Sequence, residues 1–314
     1  MRCFYRDILK TYQRRRLFGL ALLLFGQSFI PCNALSSGLL IIYPNVKAPY
    51  NKIYRDIIKG IKKSYPGDTQ QFQLETDNNN NIIQQQIRQY QPDVLMTLGK
   101  LSLEKVRQLD SNLPIVAGAI TNTEAPVIGV SMTPDPEVLL TNLLTIAPFI
   151  KRVFVVANTG RHQQLARAEA FLARQNKTLQ SEEVTSVQQA ADKYLKIINQ
   201  ASPFDAIWLM RGTHLNDPSI LMLVMEAAWK KKIVVFSSNP THVKRGVLFS
   251  VYPDNFRMGG ALGEIARQHE NLLTTPSTRL SPLKNVHLIV NERTSKHLGI
   301  MPNDIGGLHI HRLL

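Results

Sequence analysis

Side chains able to hold a small solute recur just after the short apolar runs of this chain. Tyr43, Asn45 and Tyr50 follow GLLIIY (Gly38–Tyr43), and Gly99, Lys100 and Ser102 follow DVLMTL (Asp93–Leu98). Thr121 and Asn122 follow PIVAGAI (Pro114–Ile120), and Asn158 and Thr159 close RVFVVAN (Arg152–Asn158). Arg211 follows AIWLM (Ala206–Met210), Ser237 and Ser238 end IVVFS (Ile233–Ser237), and Asp254 comes two residues after Tyr252. An arginine pairs bidentately with an anionic group, and an aspartate accepts from an ammonium. The tyrosines 43, 50 and 252 would cover an apolar or aromatic part of a ligand. Free N–H groups at a helix start near Gly99, Lys100 and Ser102 would hold a carboxylate. The set suits noncovalent capture of a polar, amino-acid-like solute. For each residue alone, an ordinary cap or turn is the competing role, and Arg211 equally suits a pair with a neighbouring carboxylate.

Covalent chemistry finds no support. Gly99-Lys100 lacks the glycine five positions earlier and the hydroxyl residue that a phosphate loop needs, with Val94 and Leu101 in those places. Gly259, Gly260 and Gly263 miss the dinucleotide spacing and read as close helix packing. Neither a zinc-protease HExxH nor a nucleophile-elbow GxSxG occurs. Of eight histidines only His309 and His311 are close in sequence, in a terminal tail where solvent exposure is the expected state. No catalytic residue, cofactor or metal is expected.

The elements that must position these residues alternate. Strands are read at Gly38–Tyr43, Phe72–Glu75, Asp93–Leu98 and Pro114–Ile120, with helices at Tyr50–Ser64, Ile82–Tyr90 and Ser102–Leu109 between them. After an extended Val127–Met132 and the prolines of Thr133–Pro136, the pattern begins again. Helices fall at Glu137–Ile146, His162–Arg174, Val187–Gln200, Pro218–Lys230 and Phe256–Leu272. Strands fall at Arg152–Asn158, Leu179–Val184, Ala206–Met210, Ile233–Ser237, Val247–Tyr252 and Val286–Val290. Such alternation, run twice, predicts an α/β fold of two doubly wound lobes with parallel sheets. In open sheets of this kind ligands bind at the carboxyl ends of the strands.

The N-terminus carries a different message. Six basic groups precede residue 17, an uncharged apolar run spans Leu17–Phe25, and Pro31-Cys32-Asn33-Ala34 follows. This is the pattern of a secretory signal peptide over residues 1–34, cut after Ala34. The apolar run is shorter than the ~20 residues of a membrane span, although retention as an anchor stays open. Of the +14 net charge, six bases and one acid lie in this segment, leaving +9 over 280 residues and no cysteine. The remaining bases are interspersed with acids and form no aromatic-laced stripe, which excludes nucleic-acid binding.

In order and spacing, PDVLMTLG (Pro92–Gly99), LPIVAGAITN (Leu113–Asn122), VIGVSM (Val127–Met132) and RVFVVANTG (Arg152–Gly160) look familiar. So do FDAIWLMRGT (Phe204–Thr213), KKKIVVFSSN (Lys230–Asn239), VKRGVLFSVYPDNFRMGG (Val243–Gly260) and VHLIVNERTSKHLGI (Val286–Ile300). Together they resemble the substrate-binding-protein family of ABC transporters, on the type I periplasmic binding fold, a group that includes aromatic amino acid binders. The resemblance spans about residues 38–302. It implies two lobes joined by three crossings: residues 38–125 plus 254–278, and 126–253 plus 283–302, with 303–314 as a tail. It also implies a hinge, an interlobe cleft and Thr121, Asn122, Arg211, Ser237, Ser238 and Asp254 as cleft positions. Two departures leave the solute open: Thr121-Asn122-Thr123 stands where the family often has Asp-Pro, and Arg211-Gly212-Thr213-His214 replaces a small polar stretch. The expected role is a periplasmic solute-binding protein that delivers a small molecule to an ABC permease in the inner membrane. The alternatives are a subunit signalling to a membrane sensor, an exported two-lobe enzyme, and a ligand-free structural envelope protein.

Overall fold

Buried strands of the type VLMTL and VVFS form only where helices cover both sheet faces, and here they do so twice. The computed structural model describes residues 38–75, 80–109, 111–121, 126–212, 217–268, 280–301 and 308–314. The expected signal segment, residues 1–34, therefore lies outside the described residues. The first sheet holds β1 (Gly38–Pro44), β2 (Asp68–Leu74), β3 (Val94–Leu98), β4 (Ile115–Ile120), β5 (Ile128–Pro134) and β11 (Leu280–Leu283), in the order β11-β5-β4-β3-β1-β2, all parallel. The second holds β6 (Arg152–Asn158), β7 (Thr178–Val184), β8 (Asp205–Leu209), β9 (Val234–Ser237), β10 (Phe249–Pro253), β12 (Val286–Val290) and β13 (Ile310–Leu313). Their order is β13-β12-β10-β9-β8-β6-β7, with only the β10–β12 pair antiparallel.

Each sheet thus repeats one winding, β2-β1-β3-β4-β5 and β7-β6-β8-β9-β10. The order reverses between β1 and β3 and between β6 and β8, and a crevice opens at the carboxyl ends of such pairs. Edge strands β2 and β7 share the same alternating exposure, ending on buried Leu74 and Val184.

Helices α1 (Asn51–Ser64), α2 (Asn80–Tyr90) and α3 (Lys100–Arg107) follow β1, β2 and β3. Helices α4 (Pro136–Ile146), α5 (His162–Arg174), α6 (Val187–Gln200) and α7 (Pro218–Lys231) serve the second sheet; α8 (Asn255–Arg267) and the short α9 (Glu292–His297) follow. A 3-10 helix, Pro240–Arg245, connects β9 to β10. Among the described residues no helix is long and apolar enough to cross a membrane.

Two differences from the sequence reading concern where the chain changes sheets. The stretch from residue 126 was assigned to the second lobe, but β5 pairs with β4 in the first sheet, so the change comes at Pro134-Asp135-Pro136. Residues 310–313, placed in a tail, instead add a parallel strand beside β12. The crossings lie side by side. Asp135 N donates to Leu283 O (2.8 Å), Asp254 N donates to Asn285 O (3.1 Å), and Pro253 is paired with Val286.

Helix α8 returns to the first sheet and lies against α1 along its glycines. A methyl group on Gly259 would collide with the carbonyl of Ile57, and one on Gly60 with that of Phe256. Ser64 Oγ donates across this contact to Gly260 O (2.8 Å). Met258 and Leu262 join Ile57, Ile61, Leu39 and Met96 in one apolar cluster beneath. Gly260 itself faces open space. Gly259→Ala is therefore expected to destabilise by about 1–3 kcal/mol or more, since the obstacle is backbone. Gly260→Ala is expected to stabilise by about 0.5–1 kcal/mol. Urea unfolding of both variants measures the contrast.

Candidate functional site

At the β1–β3 reversal the chain gathers aromatic and uncapped groups. Tyr43 ends β1 and stacks on Tyr54 of α1, with ring centroids 6.3 Å apart and planes inclined by 27°. Tyr50 lies just before α1, exposed, without a side-chain cap bond. Gly99 leaves β3 at φ +89°, a conformation that favours glycine, and a Cβ there would sit 2.9 Å from the Tyr54 hydroxyl. Helix α3 starts at Lys100 with no side-chain cap. Lys100 is exposed, with Glu104 at 3.6 Å. Beneath this turn Thr97 and Ser102 are fully buried, and neither hydroxyl has a hydrogen-bond partner. The start of α3 therefore offers free N–H groups near the strand end, with two unsatisfied hydroxyls buried beneath it.

The other first-sheet candidates are engaged within the chain. Asn45 Nδ2 donates to both Glu75 carboxylate oxygens (2.8 and 3.1 Å), and its Oδ1 accepts from Gln73 Nε2 (2.9 Å). Those bonds lash the exit of β1 to the end of β2. The β4 exit passes through a register shift at Ala119, whose φ is +56°. The Thr121 carbonyl then accepts from Ser131 Oγ (2.7 Å) and Thr133 Oγ1 (3.2 Å). Asn122 lies outside the described residues.

In the second sheet, β6 ends at Asn158, whose Oδ1 is buried without a donor, and Thr159 follows in an exposed turn. Arg211 leaves β8 exposed, and its carbonyl accepts from Arg161 Nη2 (3.4 Å). Among the described residues, neither guanidinium is ion-paired to a carboxylate. Ser238 Oγ accepts from Trp208 Nε1 (2.9 Å), and Trp208, Phe236 and Phe249 form a stack at 6.1 and 5.3 Å.

Ser237 is fully buried and serves as a hub. Its hydroxyl donates to Leu209 O (3.1 Å), accepts from Asn239 N (3.0 Å) and lies 2.9 Å from His242 Nδ1. Asn239 Nδ2 approaches His242 Nε2 (3.2 Å), while Asn239 Oδ1 accepts from Thr241 N and Oγ1 (3.1 and 2.9 Å). Because Ser237 already donates elsewhere, His242 donates from Nδ1 and accepts at Nε2. A second proton would confront the Asn239 amide. Burial first, then the charges of Arg245 and Arg211, holds the His242 pKa below its ordinary value.

Asp254 is the N-cap of α8, accepting from Arg257 N (2.9 Å), with Arg257 Nε at 3.5 Å and His287 Nε2 at 3.6 Å. Its carboxylate therefore faces the side chains of Arg257 and His287. The sequence reading missed Tyr54, Arg161 and His242. Tyr54 was signalled by its place one helical turn after Tyr50. Nothing in the Asn239–His242 spacing announced a buried imidazole.

A depressed His242 pKa gives a definite pH dependence. The unfolded chain protonates this side chain near the ordinary pKa of about 6.5, where the folded chain resists. The stabilisation is complete above that pH and lost as pH falls toward the folded pKa. Urea midpoints measured at about pH 7.5 and 5.5 should fall less in His242→Gln than in the unmutated chain.

Comparison with known proteins agrees with the winding described above. The family described as ABC transporter substrate binding protein matches residues 48–305. A substrate binding protein with adhesive properties from Clostridium difficile, solved ligand-free and open, superposes with a TM-score of 0.61 at 16% identity, covering 88% of this chain and 100% of the other. A domain from Streptococcus pneumonia in complex with L-Trp gives 0.51 at 17% identity over 89% and 100%. A conserved domain protein from Vibrio cholerae gives 0.50 at 17% over the same shares. No curated protein is a significant match. At these identities the likeness to solved structures shows the two-lobe type I periplasmic binding fold alone.

Proposed function

The chain belongs to the ABC transporter substrate binding protein family, and we propose that it is an exported binding protein that captures a small carboxylate-bearing, amino-acid-like solute between its two sheets and presents it to an ABC permease. A solute-binding role follows from the family. The solute class rests on one observation: Arg211 and Arg161 stand at the end of the second sheet without a carboxylate partner among the described residues. A ligand carboxylate would supply that partner, with charge-assisted bonds of about 1.5–3 kcal/mol.

Other groups fit the rest of such a molecule. Asn158 Oδ1, buried and lacking a donor, would accept from an ammonium. Asp254, given that role by residue type alone, has its carboxylate turned to Arg257 and His287. Tyr43, Tyr50 and Tyr54 would cover an apolar portion, with Gly99, Lys100 and Thr121 bordering it and the uncapped start of α3 offering N–H groups. Thr159 and Asn122 complete the rim, while Ser237 and Ser238 hold His242 and Trp208 in place behind it. The Streptococcus pneumonia relative in complex with L-Trp supports an amino acid as the first class to test.

Capture and delivery would follow from the crossings. Only a closed form touches the solute from both sheets, so binding shifts the population toward it, and the permease would read that shape. Export would rely on residues 1–34 as a signal cut after Ala34, and the protein would then reside in the periplasm.

The test is a thermal-shift screen of residues 35–314 against amino acids, dicarboxylates, sugars and nucleosides. A solute at 100 times its dissociation constant adds about 2.7 kcal/mol, a shift of several degrees. The expected hit carries a carboxylate, and Arg211→Ala should weaken it roughly 10–100-fold without lowering the ligand-free midpoint. Hits confined to neutral sugars, or an unchanged affinity in Arg211→Ala, would refute the assignment.

A further inference from the structure

Every exposed residue of α1 is a base. Lys52, Arg55, Lys59, Lys62 and Lys63 are its exposed positions, and the rest of Asn51–Ser64 is buried or half-buried. The spacing i, i+3, i+7, i+10 and i+11 puts all five within an arc of roughly 100° on a helix of about 3.6 residues per turn. At about 1.5 Å per residue the stripe runs roughly 16 Å along the helix. Spread through the sequence, these bases look like ordinary surface; the helix gathers them on one line. Among the described residues none of the five is ion-paired to a carboxylate, and Asp56, the one acid on α1, forms no ion pair either. On the flanking helix α8, Arg257 and Arg267 do have acidic partners, Asp254 at 3.5 Å and Glu264 at 2.7 Å. The α1 stripe is therefore uncompensated charge.

The fold accounts for part of it. Lys62 and Lys63 lie in the last turn, where the carbonyl end of a helix favours cations. Lys52 and Arg55 lie toward the opposite end, where the helix dipole disfavours them, and no acid occupies the first turn. Lys59 has Arg55 four residues before it and Lys63 four residues after it, and like charges at that spacing repel. Three bases are thus held against local electrostatics. Buried Ile57, Ile58 and Ile61 and the glycine seat on α8 hold α1 in place, so its packing does not draw on the stripe.

We propose that the outer face of α1 is a docking surface for an anionic phospholipid membrane. Four of the five bases are lysines, flexible point charges that suit a fluid layer of headgroups, whereas fixed carboxylates on a protein favour the bidentate fork of arginine. Exposed Phe256 borders the stripe, with Lys63 Nζ 5.6 Å from its ring centroid. An aromatic ring beside bases suits the boundary between headgroups and acyl chains. Basic clusters of this size bind acidic lipid through charge, each residue near the surface contributing roughly fivefold in affinity. Helix α1 would then lie along the membrane plane. None of the five bases belongs to the solute groups, and the proposal stands whatever solute the protein binds.

Co-sedimentation with vesicles tests it, using the chain from residue 35, which holds both sheets and every helix described and lacks the bases at the N-terminus. The expected result is binding to vesicles of phosphatidylglycerol and phosphatidylcholine in equal parts and none to phosphatidylcholine alone. Binding should fade as salt rises from about 0.05 to about 0.5 M. Lys52→Gln/Arg55→Gln/Lys59→Gln should weaken it roughly 100-fold, and should leave the thermal midpoint in place or raise it. Lys196→Gln/Lys232→Gln/Lys244→Gln removes the same charge from exposed positions around the second sheet and should bind nearly as the unmutated chain does. Absence of binding to the acidic vesicles, or equal losses in the two triple variants, would overturn the proposal. Stripe-dependent binding to polyglutamate without binding to vesicles would also overturn it, and would give the face to an acidic protein.

Discussion

Everything else in the molecule depends on a short band of backbone where the chain passes three times between its sheets. Asp135 donates to Leu283 and Asp254 donates to Asn285, while Pro253 pairs with Val286. The passages therefore support one another and do not act as three loose linkers. Two of them open directly into helices through a proline followed by a capping aspartate. Asp135 accepts from Glu137 N and from Arg167 (2.7 Å), and Asp254 accepts from Arg257 N. Flanking caps of this kind fix each helix to its end of the crossing and would confine any rotation of one sheet against the other to a few backbone angles between them. The tight seat of α8 on α1, where glycines let the backbones touch, keeps the second crossing from yielding on the first-sheet side.

From that constraint the candidate site takes its place. Two sheets of identical winding reverse order at β1/β3 and at β6/β8, and several polar groups near those strand ends stand without partners. Thr97, Ser102 and Asn158 lack partners there, and Arg211 has no carboxylate among the described residues. Polar groups that could serve as caps or ties are instead consumed: Asn45 by Glu75 and Gln73, Ser238 by Trp208, Ser237 by Leu209 and His242. The distinction between used and unused polar atoms, more than residue type, separates the framework from the candidate binding surface.

The sequence reveals the doubly wound pattern because β3, β8 and β9 are covered on both faces and read as continuous apolar runs. It is weaker at β2, where DTQQFQL is a polar edge, and silent at β11 and β13, four-residue strands that exist only through partners far along the chain. Nor can composition say which of two similar sheets a strand joins, which is why β5 was assigned to the wrong side of the first crossing. Among site residues, position at a strand end was legible, but occupancy was not. Whether Asn45 or Ser238 is free depends on Glu75 and Trp208, each 30 residues away. Asp254 reads as an available acceptor until His287 and Arg257 are seen beside it.

Closure of one sheet on the other around a solute is the central claim, and a distance across the crossings tests it most directly. Spin labels on exposed Lys47, after β1, and exposed Gln163, after β6, report the separation of the two strand-end surfaces by pulsed electron resonance. The account predicts a broad or long distance distribution in the free protein that narrows and shortens when the solute is added. A solute that binds tightly while the distribution stays unchanged would contradict it.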